Sequence, residues 1–142
     1  MLYRRIRLAA LPVLTALITL AASPAGAERF RLCAGGGGMD CVVDGDTFWL
    51  DGQKIRVADI DTPETHQPHC PAERAWGQRA TQRLLTLLNA GAFSLEPVER
   101  DRDRYGRMLR VVTRDGRSLG AMLVSEGLAR PWKGSRQPWC PA

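Results

Sequence analysis

The sequence predicts an α+β fold: a small five-stranded β-barrel with two helices, preceded by a signal peptide. Three observations predict it. Short β-rich runs are separated by the turn pairs Asp51-Gly52 and Asp115-Gly116. One long helical pattern opens at Pro71, and a shorter one follows Ser118.

The elements follow in order. Residues 29–33 read as a short strand, and the Gly35-Gly36-Gly37-Gly38 run that follows prevents regular structure. Phe48-Trp49-Leu50 and Lys54-Ile55-Arg56-Val57 flank Asp51-Gly52, the signature of a two-residue hairpin, and the second run stays strand-like to Ile60. Pro63 and Pro68 then force a loop that holds Thr62, Glu64, His66 and His69. Proline at the first turn and Glu73 near the positive end favour a helix from Pro71. Its apolar positions Ala72, Ala75, Trp76, Ala80, Leu84, Leu87 and Leu88 keep helical spacing up to Asn89-Ala90-Gly91. Residues 93–100 and 109–113 form a second hairpin across the charged loop 101–106. Ser118 caps a helix over residues 119–126, which stops at Gly127. The tail 132–142 packs without regular structure. Five strands with a long helix between the third and fourth fit a barrel of the OB type.

Residues 1–27 read as an export signal: Arg4, Arg5 and Arg7 precede an uncharged apolar run, and Ala25 and Ala27 set a cleavage site after Ala27. Pro12 and the short run disfavour a permanent span, so no membrane span is expected in the mature chain. Residues 28–142 are then one domain, expected to be periplasmic or secreted and monomeric, with no stable protein partner implied. The formal charge of +5 includes the three leader arginines, so the domain itself is nearly balanced. What stands out is the kind of cation, because Lys54 and Lys133 are the only lysines. Arginine offers a planar fork matched to phosphate oxygens. Cys33, Cys41, Cys70 and Cys140 in an exported chain predict two disulfides, with three pairings open. A zinc site is disfavoured, since no Cys-x-x-Cys spacing occurs.

Chemistry concentrates in Asp44-Gly45-Asp46-Thr47 and Asp61-Thr62-Pro63-Glu64, with Arg56 between them and Tyr105-Gly106-Arg107 downstream. Carboxylates that hold a hard divalent cation, with arginines that clamp a phosphate, point to metal-assisted phosphodiester hydrolysis. Taken alone, Asp-Gly-Asp is most often a turn, and Asp-Thr-Pro-Glu a helix cap. Their joint occurrence, in order, favours the catalytic reading. By contrast, Asp59 reads as the exposed side of a strand, His66 and His69 as loop residues, and Trp132 and Trp139 as packing residues.

These motifs, with Asp103-Arg104-Tyr105-Gly106-Arg107 and the segment 119–129, resemble the thermonuclease (staphylococcal nuclease-like) family from about Cys41 to Ala129. The resemblance implies a nuclease that cuts DNA and RNA and leaves 3′-phosphates. It implies that Asp46 and Asp61 ligate a Ca2+ ion with the Thr62 carbonyl, and that Asp44 lies nearby through water. Glu64 would activate water, Arg56 and Arg107 would hold the scissile phosphate, and Arg104 and Tyr105 would contact a neighbouring phosphate or sugar. The four cysteines depart from the type protein, and Trp132 is the nearest substitute for its aromatics after the second helix. The competing expectation is a non-catalytic nucleic-acid-binding module of the cell envelope. Its arginine groove would retain nucleic acid without cutting it.

Overall fold

A computed structural model describes residues 29–35 and 37–141; the expected signal peptide lies outside them. Five strands of four or more residues carry the main sheet: β2 (Cys41–Asp44), β3 (Thr47–Leu50), β4 (Gln53–Val57), β6 (Ser94–Arg102) and β7 (Met108–Arg114). Four two-residue strands complete the set: β1 (Arg31–Leu32), β5 (Ile60–Asp61), β8 (Arg117–Ser118) and β9 (Arg130–Pro131). The helices are α1 (Pro71–Asn89) and α2 (Leu119–Ser125).

The α+β class and the two helices agree with the sequence reading. The five-stranded barrel, expected to be closed or nearly so, is not closed. The main sheet runs β1-β2-β3-β4-β7-β6 with β8 on β7, while β5 and β9 form a separate pair. No ladder joins the two edges among the described residues. One reason lies near the site. The run expected to stay extended to Ile60 breaks after Val57 into a turn at Ala58 and Asp59, so Ile60 and Asp61 leave the main sheet and pair with Pro131 and Arg130.

The first hairpin forms as its Asp-Gly pair requires: Asp51 and Gly52 both have positive φ (48° and 78°), matching the twist of the strands they join. α1 starts where proline and the Cys70 cap place it, with the Glu73 N–H donating to Cys70 Sγ. Leu84, Leu87 and Leu88 bury against Phe48, Ile55, Val57, Val112, Leu119 and Leu123. Phe30, Phe48 and Phe93 pack with ring centroids about 6 Å apart. At its first turns, however, α1 turns Glu73 and Gly77 inward, whereas Ala72 and Ala75 are exposed. Glu73 and Gly77 meet the loop at Pro63 to Thr65, so this face presents an acceptor and a gap.

The disulfides are Cys33–Cys41 and Cys70–Cys140. The first closes the glycine loop. The second spans 70 residues and ties the tail to the start of α1; cross-links over long loops restrict the unfolded chain most.

Gly77 sets how closely α1 approaches the loop that carries Glu64. A Cβ there would lie 2.6 Å from the Pro63 carbonyl oxygen and 2.9 Å from Thr65 Cγ2. Gly77→Ala should therefore cost about 1–3 kcal/mol through overpacking, seen as a lower urea midpoint with an unchanged slope. A midpoint at or above the wild-type value would mean that the contact is not tight.

Candidate active site

The turn from β2 into β3 is built by its acids. Asp44 Oδ1 accepts from the Asp46 N–H at 3.2 Å, a local Asx turn. Gly45 lets this turn lie on α1, since a Cβ would meet Ala80 Cβ at 2.6 Å and Thr62 Cγ2 at 2.9 Å. Asp46 is 3% exposed. Its Oδ1 accepts from Thr47 Oγ1 at 2.9 Å, and its Oδ2 from the Thr62 N–H at 3.2 Å. The second acidic segment is thus bonded directly to the first.

Arg56 reaches across from β4 and is buried. Its Nη1 donates to the carbonyls of Val57 (2.5 Å) and Ile60 (3.0 Å), which fixes the turn between β4 and β5. Its Nη2 lies 3.4 Å from Asp46 Oδ2 and 3.8 Å from Asp61 Oδ1, and the Trp132 ring covers the guanidinium with its centroid 5.1 Å away. Asp61, in β5, is equally buried. Its Oδ2 accepts from the Trp139 indole N–H at 3.2 Å, while Oδ1 makes no hydrogen bond.

Arg136 closes the cluster from the tail, with Nη2 3.3 Å from Asp61 Oδ1 and Nη1 paired with Glu64. Four carboxylates, Asp44, Asp46, Asp61 and Glu64, therefore share two guanidiniums. The imbalance is felt electrostatically. Burial, reinforced by the negative charge of Asp46, pushes Asp44 up to about 8. Burial also raises Asp61, against the pull of Arg136.

The structure thus brings together Asp44, Asp46, Asp61, Thr62, Arg56 and Glu64. Arg107 sits apart: its Nε donates to Asp103 Oδ2 at 2.7 Å and its guanidinium faces the Tyr105 ring. It immediately precedes β7, where Leu109 is the register partner of Arg56. Strand alternation therefore puts Arg107 on the sheet face of Arg56, one diagonal step away. Tyr105 is 68% exposed beside Arg104, whose guanidinium lies 4.8 Å from the ring centroid.

Among the described residues, no three acidic, histidine or cysteine side chains converge closely enough to enclose a metal ion. The ligand cage expected from the motifs is not preformed, because Arg56 and Arg136 already engage Asp46, Asp61 and Glu64. The donor chemistry still fits a hard cation. The oxygens are carboxylates, Asp61 Oδ1 is buried without a hydrogen bond, and the acids outnumber their partners. Asp46 and Asp61 would hold such an ion, with Asp44 nearby.

Three functional contacts escape sequence reasoning. Trp139 was expected only to pack; it packs on Trp76 and also bonds Asp61. Arg136 carried no signal at all. Glu73 does more than favour a helix start: its carboxylate accepts from the N–H groups of Glu64 (3.3 Å) and His69 (2.6 Å), which holds the loop that carries Glu64. Asp59, expected on an exposed strand face, instead sits in the turn after β4 and accepts from Ser118 Oγ at 2.6 Å.

Residues 54–139 match the family described as Staphylococcal nuclease homologue. The chain belongs to the staphylococcal nuclease family. It is similar to endonuclease YncB of Bacillus subtilis (strain 168), 40% identical over 97 residues, which is 65% of this chain and 46% of that protein. It is 36% identical over 93 residues to the thermonuclease of Staphylococcus hyicus, covering 63% of this chain and 54% of that one. The micrococcal nuclease of Shigella flexneri is 35% identical over 135 residues, 86% of this chain and 70% of that protein. The chain thus spans about half the length of the first two relatives.

Burial alone would raise the Glu73 pKa, but hydrogen bonds from the His69 and Glu64 N–H groups and the His69 ring outweigh it and hold Glu73 below its ordinary value of 4.5. A depressed folded-state pKa means stability that is complete above 4.5 and lost as pH falls through the lower folded value. Glu73→Gln should remove that part of the acid sensitivity, measured as urea stability from pH 6 to pH 3 (roughly the range where carboxylates titrate). A mutant profile parallel to wild type would contradict the assignment.

Proposed function

We propose that this chain is an exported, calcium-dependent nuclease that hydrolyses phosphodiester bonds of DNA and RNA and leaves 3′-phosphates. The observation that carries the reading is the burial of Asp46, Asp61 and Arg56 against one another, with Asp61 Oδ1 left without a hydrogen bond. Membership of the family and the printed names of its relatives, endonuclease, thermonuclease and micrococcal nuclease, support it. Two disulfides, and no helix among the described residues long and apolar enough to cross a membrane, are compatible with export.

In this reading, Asp46, Asp61 and the Thr62 carbonyl would hold calcium, which would supply positive charge beside the phosphate and the attacking water. Glu64 takes the proton of that water as its oxygen bonds to phosphorus. The bond to the 5′ oxygen breaks, and that oxygen collects a proton from solvent. Arg56 neutralises the phosphate from a fixed position, because its Nη1 is already committed to two carbonyls. Arg107 must exchange its bond to Asp103 for one to the phosphate. Arg104 and Tyr105, on an exposed loop, contact the neighbouring phosphate or sugar. Guanidiniums aimed at charge that grows in the transition state are worth roughly 3 kcal/mol each, by analogy with oxyanion-hole donors. The proposed enzyme acts as a monomer with no stable protein partner.

Glu64→Gln and Arg107→Ala should each lower plasmid and RNA cleavage by about 10²–10³-fold or more while leaving the melting transition near wild type. EDTA should silence the wild type, and calcium should restore it. Near-wild-type cleavage by either purified mutant would refute the assignment. Salt-dependent retention of single-stranded nucleic acid without cleavage would favour the non-catalytic binding module.

A further inference from the structure

The tail reaches the acidic cluster through a residue that is neither acid nor base. Trp139 is 6% exposed, packed edge-on against Trp76 with ring centroids 5.6 Å apart and flanked by the Arg130 guanidinium at 3.8 Å. Packing explains why a large ring sits there. It does not explain the placement of the indole N–H, which lies 3.2 Å from Asp61 Oδ2 in a buried environment. An indole nitrogen only donates, so this bond is unambiguous in direction.

The geometry points to Trp139 as a positioning residue for metal binding: its N–H pins one oxygen of Asp61 and so presents the other to the cation. A carboxylate is planar, so fixing Oδ2 also fixes the direction of Oδ1. Oδ1 is the atom that has no hydrogen bond and faces the guanidiniums of Arg136 and Arg56 at 3.3 and 3.8 Å. Arg136 reaches that oxygen from the tail by a carboxylate pairing alone, so an ion bound at Oδ1 would take the place of its guanidinium. Two further connections hold the pin. Cys140, the next residue, is bonded to Cys70 at the cap of α1, and Asp61 itself is paired through β5 with Arg130 of β9. Ligand and donor are therefore tied to each other from both sides. Residues that orient a metal ligand in this way typically change metal affinity by about 10–100-fold when removed.

This inference rests on the metal-dependent reading above, and calcium binding separates the two. Trp139→Phe keeps an aromatic ring at the position and removes the N–H donor, with some loss of ring volume. Calorimetric titration with calcium alone should give a Kd about 10–100-fold higher than wild type. The melting temperature should fall in EDTA, because buried Oδ2 loses its donor, while the variant stays folded at the temperature of the titration and cleavage recovers when calcium is raised in proportion. If wild type binds calcium and Trp139→Phe binds it within about twofold, the positioning role is overturned and the nuclease reading stands. If wild type itself binds no calcium, the metal reading fails and takes this inference with it. Should the variant not fold, the unmodified protein decides. Its Trp139 indole N–H resonance should move during the titration with the same midpoint as the heat signal, and a resonance unmoved by bound calcium overturns the proposal.

Discussion

Two buried aspartates and a buried arginine cannot be left uncompensated. Asp46, Asp61 and Arg56 are each less than 10% exposed, and removing one partner from such a group strands a charge at a cost of roughly 3–5 kcal/mol. The surrounding chain is arranged to satisfy them. Thr47 and the Thr62 backbone serve Asp46, Trp139 serves Asp61, and the Val57 and Ile60 carbonyls serve Arg56. Because these partners come from β3, β4, β5 and the tail, charge compensation fixes the relative positions of four segments that share no single ladder. The compensation is incomplete. Burial and the charge of Asp46 raise the Asp44 pKa, and Asp61 keeps an oxygen with no hydrogen bond, while Arg56 and Arg136 hold the acids closed.

The three arginines of this region are held in different ways. Arg56 is locked to backbone carbonyls and has little freedom. Arg136 and Arg107 are held by carboxylates alone, Asp61 and Glu64 for the one and Asp103 for the other. Such bonds can be exchanged for a phosphate or an ion without breaking backbone structure. Arg56 is thus the fixed arginine of the site, and Arg136 and Arg107 are the exchangeable ones.

Local chemistry made much of this legible. Asp51-Gly52 dictated a positive-φ pair and so the β3–β4 hairpin, while Pro71 and the leucines at 84, 87 and 88 dictated α1. Asp46, Asp61 and Arg56 stood out because acids flanking a basic strand are a recognisable pattern. What stayed hidden depends on long-range contact. Nothing in the spacing of Trp139 says that its N–H meets an acid 78 residues earlier. Glu73 reads as an ordinary first-turn acid until the loop folds over it. Ile60 and Asp61 look like a continuation of β4, because residue type cannot reveal that β9 offers them a better partner than β7 does. The open sheet was missed for the same reason: whether two edges meet is a matter of register and shear, not of composition.

One measurement addresses the shared claim directly. Crystals of the oxidised protein grown with calcium, and then with terbium in its place, locate the ion by anomalous scattering. The expected peak lies between Asp46 and Asp61, about 2.3–2.6 Å from Asp61 Oδ1, with the Trp139 N–H still on Oδ2. A peak elsewhere, or Asp46 and Asp61 still closed on Arg56 and Arg136 with no ion at saturating metal, would contradict it.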